Sequence, residues 1–167
     1  MLPFRHILCP VDFSPPSLAA LAAADEFARF FFARLTVLHV LAPPPPLVPL
    51  EGTVVGGVTA PDPEVEQRRH AAAEIELAET ARDVVAEEVD LHLDIRHGDP
   101  AEEILAAAED LGVDLVVIAT HGRSGLKRLL FGSVAEAVVR RAACPVVTIR
   151  AQAASAVQGG ETREKGA

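Results

Sequence analysis

The sequence predicts a single α/β domain: a five-stranded parallel sheet, strand order 3-2-1-4-5, with helices on both faces. Two observations carry this. Short apolar, β-rich runs alternate with longer helix-like segments along the whole chain. Strands separated by helices cannot pair as hairpins, so they must run parallel with right-handed crossovers. The central runs also lack apolar–polar alternation, which is expected of strands covered by helices on both sides.

The elements follow in order. Ile7–Val11 is the first apolar run and ends in Asp12. A helix is expected from about Ser14 to Ala33, with Ser14 as N-cap and Pro15 in the first helical position. Leu35–Val40 is apolar except for Thr36 and His39 and reads as the second strand. A second helix, from about Pro63 to Glu88, places Leu77, Ala81, Val84 and Val85 on one face. Leu91–Arg96 alternates as an edge strand does. Asp99, Pro100 and Glu102 supply an N-cap, a proline at N1 and an acid at N3, opening a third helix to about Leu111. Leu115–Ala119 is a continuous apolar run, read as a strand buried on both faces. A fourth helix is expected from near Ser133 to near Ala142, and Pro145 introduces a last strand, Val146–Ile149.

Residues 1–150 thus form the expected domain. Residues 42–62, with the run Pro43-Pro44-Pro45-Pro46 and several glycines, read as a flexible excursion. Residues 151–167, rich in Ala, Gly and charge without periodicity, read as a disordered tail.

Half of the 167 residues are hydrophobic, yet the chain has seven Phe and no Trp or Tyr, so the core must rest on aliphatic side chains. The formal net charge of −9 argues against non-specific nucleic-acid binding, which needs a basic footprint. Cys9 and Cys144 both fall in apolar, strand-like runs and are expected as buried free thiols in a reducing compartment. Without a signal-like N-terminus or a run of about 20 apolar residues, the expected location is the cytoplasm, with no membrane contact.

The chemistry concentrates in Thr120-His121-Gly122-Arg123-Ser124-Gly125, continuing to Gly132-Ser133-Val134, between a buried strand and a helix. Gly122, Gly125 and Gly132 permit close approach of a ligand to the backbone. The start of the fourth helix, at Gly132 and Ser133, offers unpaired N–H groups and a dipole that favour phosphate. From Leu115 to Ala135 there is no Asp or Glu, although 24 acids among 167 residues would place about three in such a window; Arg123, Lys127 and Arg128 lie there instead. Ligands of open parallel sheets bind where the winding reverses. In the order 3-2-1-4-5 that point lies between strands one and four, which brings Pro10, Val11 and Asp12 beside the glycine-rich loop.

Plainer readings of these residues stand beside the ligand reading. Ser133-Val134-Ala135-Glu136 is also a capping box. The glycines also suit ordinary turns, the three cations a solvated face, and Asp12 the capping of a turn. His6, His39 and His97 read as structural or exposed, and His121 as a loop histidine. Convergence of glycines, cations and a helix start at one crevice favours an anion site.

These residues resemble the ATP-binding signature of universal stress proteins. The flanks Ile7–Ser14, Leu35–Val40 and Ala143–Val147 are similar to that family's first, second and last strands, so the resemblance covers about residues 1–150. It implies a Rossmann-like sheet, akin to the adenine nucleotide alpha hydrolases, and ATP as ligand with Mg²⁺ or Mn²⁺. Pro10, Val11 and Asp12 would lie along adenine and ribose, and Val40 against adenine. Thr120, Gly122 and Arg123 would lie near the ribose and the loop, and Gly125, Gly132, Ser133 and Val134 would hold the phosphates. It further implies a homodimer through Val146, Val147, Thr148 and Ile149, a charge-free edge open to strand pairing.

The function expected is therefore nucleotide binding in a regulatory or stress role, with slow hydrolysis at most, because no general base stands near the phosphate loop. A nucleotide-processing enzyme on the same sheet is the alternative. Its serine-glycine loop would follow the first strand, where this chain has Asp12-Phe13-Ser14-Pro15-Pro16, and no Gly-Lys-Ser/Thr motif occurs. A receiver domain would need clustered acids after the first strand and a Lys after the fifth; Arg150 stands there.

Overall fold

The structure, a computed structural model, describes residues 3–43, 62–120 and 132–150. It contains β1 (His6–Val11), α1 (Pro15–Phe31), β2 (Arg34–Leu41), α2 (Pro63–Val84), β3 (Leu91–His97), α3 (Pro100–Asp110), β4 (Leu115–Ala119), α4 (Ser133–Arg141) and β5 (Val146–Ile149). The strands form one parallel sheet in the order β3-β2-β1-β4-β5.

Strand alternation divides the core in two. Ile7, Cys9 and Val11 of β1 share one face with Leu35, Val37, Leu115 and Val117, covered by Ala20, Leu21 and Ala24 of α1 and Leu77 of α2. Leu8, Leu38, Val116 and Ile118 point the other way, onto Ile104 and Ala107 of α3 and Val138 of α4. Right-handed crossovers require this split: two successive connections wind from β1 toward β3, and the next two wind back through β4 to β5. In α1 the buried residues Ser17, Ala20, Leu21, Ala24, Asp25 and Ala28 recur at helical spacing, and the alanines let the helix lie close to the sheet. Burial of a side chain such as Leu77, 1% exposed, contributes about 1.5–3 kcal/mol.

The helix ends differ from the sequence expectation for local reasons. α1 stops at Phe31 because Phe32 takes a left-handed conformation (φ 52°) and the Ala33 N–H turns back to the Ala28 carbonyl. α2 stops at Val84, not Glu88. Val85 is extended and 8% exposed, and the buried Asp25 of α1 accepts from the Ala86 N–H at 2.9 Å. Among the cysteines, Cys9 is buried in β1, where desolvation pushes its thiol far up. Cys144 corrects the expectation: it lies in the bend before β5, not in a strand, and is half-buried. Both are free thiols.

His6 and His39 serve the frame. His6 bridges the Leu111 carbonyl and the Thr36 hydroxyl, and burial lowers its pKa despite the carbonyl contact. His39 meets the Val11 carbonyl through Nδ1 at 2.8 Å and carries the ring of Phe13, itself at φ 62°. Residues 44–61 and 151–167, where the excursion and tail were expected, lie outside the described residues.

Candidate nucleotide site

The site begins with a proline. β1 stays paired with β2 through Val11↔His39, but its pairing with β4 ends at Leu8↔Val116. Pro10 brings no N–H to a ladder, and the two central strands part at their carboxyl ends. A cavity of about 310 Å³ opens there. Pro10, Val11 and Asp12 line it from β1, Leu38 and Val40 from β2, and Ile118, Ala119 and Thr120 from β4. Pro100 and Ile104 of α3 close one side, and Gly132, Ser133, Val134 and Ala135 at the start of α4 close the other.

All eight described residues expected at the site from sequence line this one cavity: Pro10, Val11, Asp12, Val40, Thr120, Gly132, Ser133 and Val134. Gly122, Arg123 and Gly125 lie outside the described residues, as do His121, Lys127 and Arg128. Sequence reasoning did not name Ser17, Leu38, Pro100, Ile104, Ile118, Ala119 or Ala135. Period-two spacing could have found Leu38 and Ile118, each two residues before an expected lining residue on the same strand face. The part played by α3 is a long-range contact with no local signal.

Two helices begin on the cavity rim. At α3, Asp99 accepts from the Ala101 and Glu102 N–H groups at 2.9 and 3.1 Å. At α4, the N-cap is Gly132 (φ −71°, ψ 155°), which has no side chain to offer. Ser133 is therefore the first helical residue, and the capping box that was the plainer reading of Ser133 to Glu136 does not form. Its acid, Glu136, pairs with Arg140 at 2.9 Å instead.

The α4 amides also divide. The Gly132 N–H donates to the Thr120 carbonyl at 2.7 Å. This corrects the expectation that the Gly132 amide is available for a phosphate. The first intrahelical bond is Glu136 N–H to the Gly132 carbonyl at 2.9 Å, so the Ser133, Val134 and Ala135 N–H groups belong to the turn a helix leaves unpaired.

Asp12 is the sole carboxylate among the described lining residues. Its Oδ1 accepts from both the N–H and the hydroxyl of Ser14, and its own N–H donates to Ser17 Oγ at 3.3 Å. The turn-capping role is thus real, and it holds the carboxylate at the cavity edge. Among the described residues no group of three or more His, Cys, Asp and Glu is arranged to hold a metal, and no helix is long and apolar enough to cross a membrane.

Comparison with known proteins follows this geometry. Residues 3–150 match the model of the universal stress protein family. The universal stress protein YxiE of Bacillus subtilis is 33% identical over 150 residues, covering 88% of this chain and 99% of that protein. The solved universal stress protein UspA of Lactobacillus plantarum superposes with a TM-score of 0.72 at 27% identity, covering 90% of this chain and all of that one. Two further solved universal stress proteins share the fold. One, in complex with cAMP, gives a TM-score of 0.61 at 21% identity over 88% of this chain and 97% of its own. The other, from Archaeoglobus fulgidus in complex with dAMP, gives 0.52 at 22% over 89% and 98%. The chain belongs to the universal stress protein family.

Proposed function

We propose that this protein binds ATP at the cavity between β1 and β4 and acts as a nucleotide-dependent regulator in a stress response. The observation that carries the reading is the open start of α4: three N–H groups without a side-chain cap among the described residues, on residues lining a cavity at the sheet's winding reversal. Family membership supports it, as do the relatives solved with cAMP and dAMP.

In this reading Pro10, Val11 and Asp12 lie along adenine and ribose, and Val40 meets the adenine. The apolar walls Leu38, Ile104 and Ile118 suit a flat base, and the cavity of about 310 Å³ stands at the lower end of ligand pockets, about 300–1,000 Å³. Phosphates extend to the Ser133 and Val134 amides. Gly132 contributes by having no side chain; Gly125 is assigned to the phosphates, and Thr120, Gly122 and Arg123 to the ribose and the loop. Mg²⁺ or Mn²⁺ would arrive on the phosphate oxygens and keep water in its shell, since Asp12 is the one carboxylate the described lining offers.

Hydrolysis is slow in this reading. Asp12 is engaged with Ser14 and assigned to the nucleoside end, which leaves no described carboxylate to activate water at the phosphates. A faster nucleotide-processing enzyme is the reading a turnover assay would favour if phosphate were released rapidly. Two copies pair through the outer edge of β5 (Val146, Val147, Thr148 and Ile149), which bonds only β4 among the described strands. Residues 1–150 form the cytoplasmic nucleotide-binding domain and 151–167 its tail.

Calorimetric titration of ATP with Mg²⁺ tests the proposal. A saturable one-site isotherm is expected. No heat at millimolar nucleotide, from protein shown to be folded, would overturn it.

A further inference from the structure

One buried histidine holds both neighbours of the carboxylate at the cavity edge. His39 of β2 is 8% exposed and is the register partner of Val11. Its Nδ1 lies 2.8 Å from the Val11 carbonyl oxygen, and its ring lies against Phe13, with centroids 4.4 Å apart and planes at 35°. Val11 and Phe13 flank Asp12. We propose, resting on the nucleotide reading of the cavity, that His39 is a positioning residue: it fixes the Asp12 carboxylate for contact with the nucleoside end of the ligand.

A carbonyl oxygen only accepts, so Nδ1 of His39 carries an N–H and donates it. That bond takes one end of the peptide group joining Val11 to Asp12. The other end, the Asp12 N–H, donates to Ser17 Oγ at 3.3 Å. A peptide group is planar, so bonds at both ends set the direction in which the Asp12 side chain leaves the backbone. Beyond Asp12 the chain turns through Phe13 at φ 62°, a conformation uncommon for residues other than glycine. The ring contact with His39 holds that turn. It delivers Ser14, whose N–H, at 3.1 Å, and hydroxyl both donate to Asp12 Oδ1.

Packing alone does not call for a histidine here. His39 follows Leu35 and Val37 on one face of β2, where both join the aliphatic core. A leucine would continue that row, whereas an imidazole buried there costs free energy unless its polar atoms are bonded. What the imidazole adds is a donor and a ring face, and both go to the turn that carries Asp12. The cavity is lined from β2 by Leu38 and Val40, which point to the opposite face of the sheet. His39 therefore acts through Asp12 and does not itself touch the ligand.

Two measurements on the full chain test this. In the nucleotide-free protein, hydrogen exchange of the Ser14 amide, followed by NMR, reads the Asp12–Ser14 contact. His39→Leu should speed that exchange about tenfold. His39→Asn, whose amide nitrogen stands near the place of Nδ1, should speed it less. ATP affinity by calorimetry should follow the same order, with a loss of about tenfold in His39→Leu, a change of about 1.4 kcal/mol. In an Asp12→Ala background, His39→Leu should cost no further affinity. Unchanged Ser14 exchange in His39→Leu, no rescue by His39→Asn, or an affinity loss as large without Asp12 as with it overturns the proposal. If thermal unfolding shows that His39→Leu does not fold, Phe13→Gly replaces it, since glycine keeps the positive φ and removes only the ring contact. Both readouts should then move in the same direction by less, and no movement in either overturns the proposal. A parent that binds no ATP refutes the nucleotide reading, and Ser14 exchange in the variants still decides whether His39 holds Asp12.

Discussion

The starts of α3 and α4 sit on the same cavity and meet the same problem by opposite means. Every helix begins with N–H groups that no turn of the helix can satisfy. α3 answers within the chain: Asp99 accepts from two of them and Pro100 removes another. α4 begins with Gly132, whose N–H is taken by Thr120 and whose missing side chain leaves the next three amides without a side-chain cap among the described residues. A capped terminus carries its own negative charge and gains stability. One with a glycine N-cap forgoes roughly a few tenths of a kcal/mol and keeps the partial positive charge of the helix start. Two helices on one rim thus start differently, one capped for the fold and one, in the proposed reading, left open for an anion.

The largest expected effect comes from making the two ends alike. Gly132→Asp gives α4 the cap that α3 has, at a φ of −71° that aspartate adopts readily. ATP affinity by calorimetry should fall at least about tenfold, while the unfolding midpoint stays level or rises slightly, because Asp is a slightly better N-cap than Gly. A variant that binds ATP as well as the parent would break the comparison.

The converse change is smaller. Asp99→Ala should cost about 0.5–2 kcal/mol, seen as a drop of about 2–4 °C per kcal/mol in the unfolding midpoint. Nucleotide affinity should change much less than in Gly132→Asp. An equal loss of affinity would mean that α3, too, serves the ligand.

Smallest is the surface clasp between the helices. Arg141 of α4 makes two hydrogen bonds to the Glu102 carboxylate of α3, and that contact holds the Glu102 pKa below the usual range. A lowered carboxylate pKa stabilises the fold above the unfolded value and loses that contribution as pH falls through the folded value. Both groups are exposed, so the effect is small. Glu102→Gln should shift the unfolding midpoint less than Asp99→Ala at neutral pH. The difference from the parent should vanish as acid protonates Glu102, and a difference that persists at low pH would show that the side chain acts through something other than its charge.

How much was legible in the sequence varies from element to element. Leu115–Ala119 and Val146–Ile149 are strands with the bounds expected, because each is an apolar run set between strong breakers. Asp99-Pro100 marked the start of α3 for the same reason: cap and proline act within a few residues. The end of α2 was illegible. Nothing near Val84 in sequence reveals that Asp25, some 60 residues earlier, will take the Ala86 N–H. The start of α4 near Ser133 was legible, but not its cap: Ser133 and Glu136 also spell a capping box, which a glycine N-cap and an Arg140 partner displaced.

What the sequence determined by itself was therefore whatever depends on neighbours along the chain: the alternation of elements, the parallel sheet, and the choice of Gly132 and Asp99 at two helix starts. Tertiary structure decided what depends on partners far apart in sequence. The gap between β1 and β4 past Leu8, the addition of Leu38 and Ile104 to the cavity wall, and the meeting of His39 with Phe13 all arise from crossovers. Local propensity acts over one turn or one strand, whereas a cavity forms only where separately specified surfaces fail to close on each other.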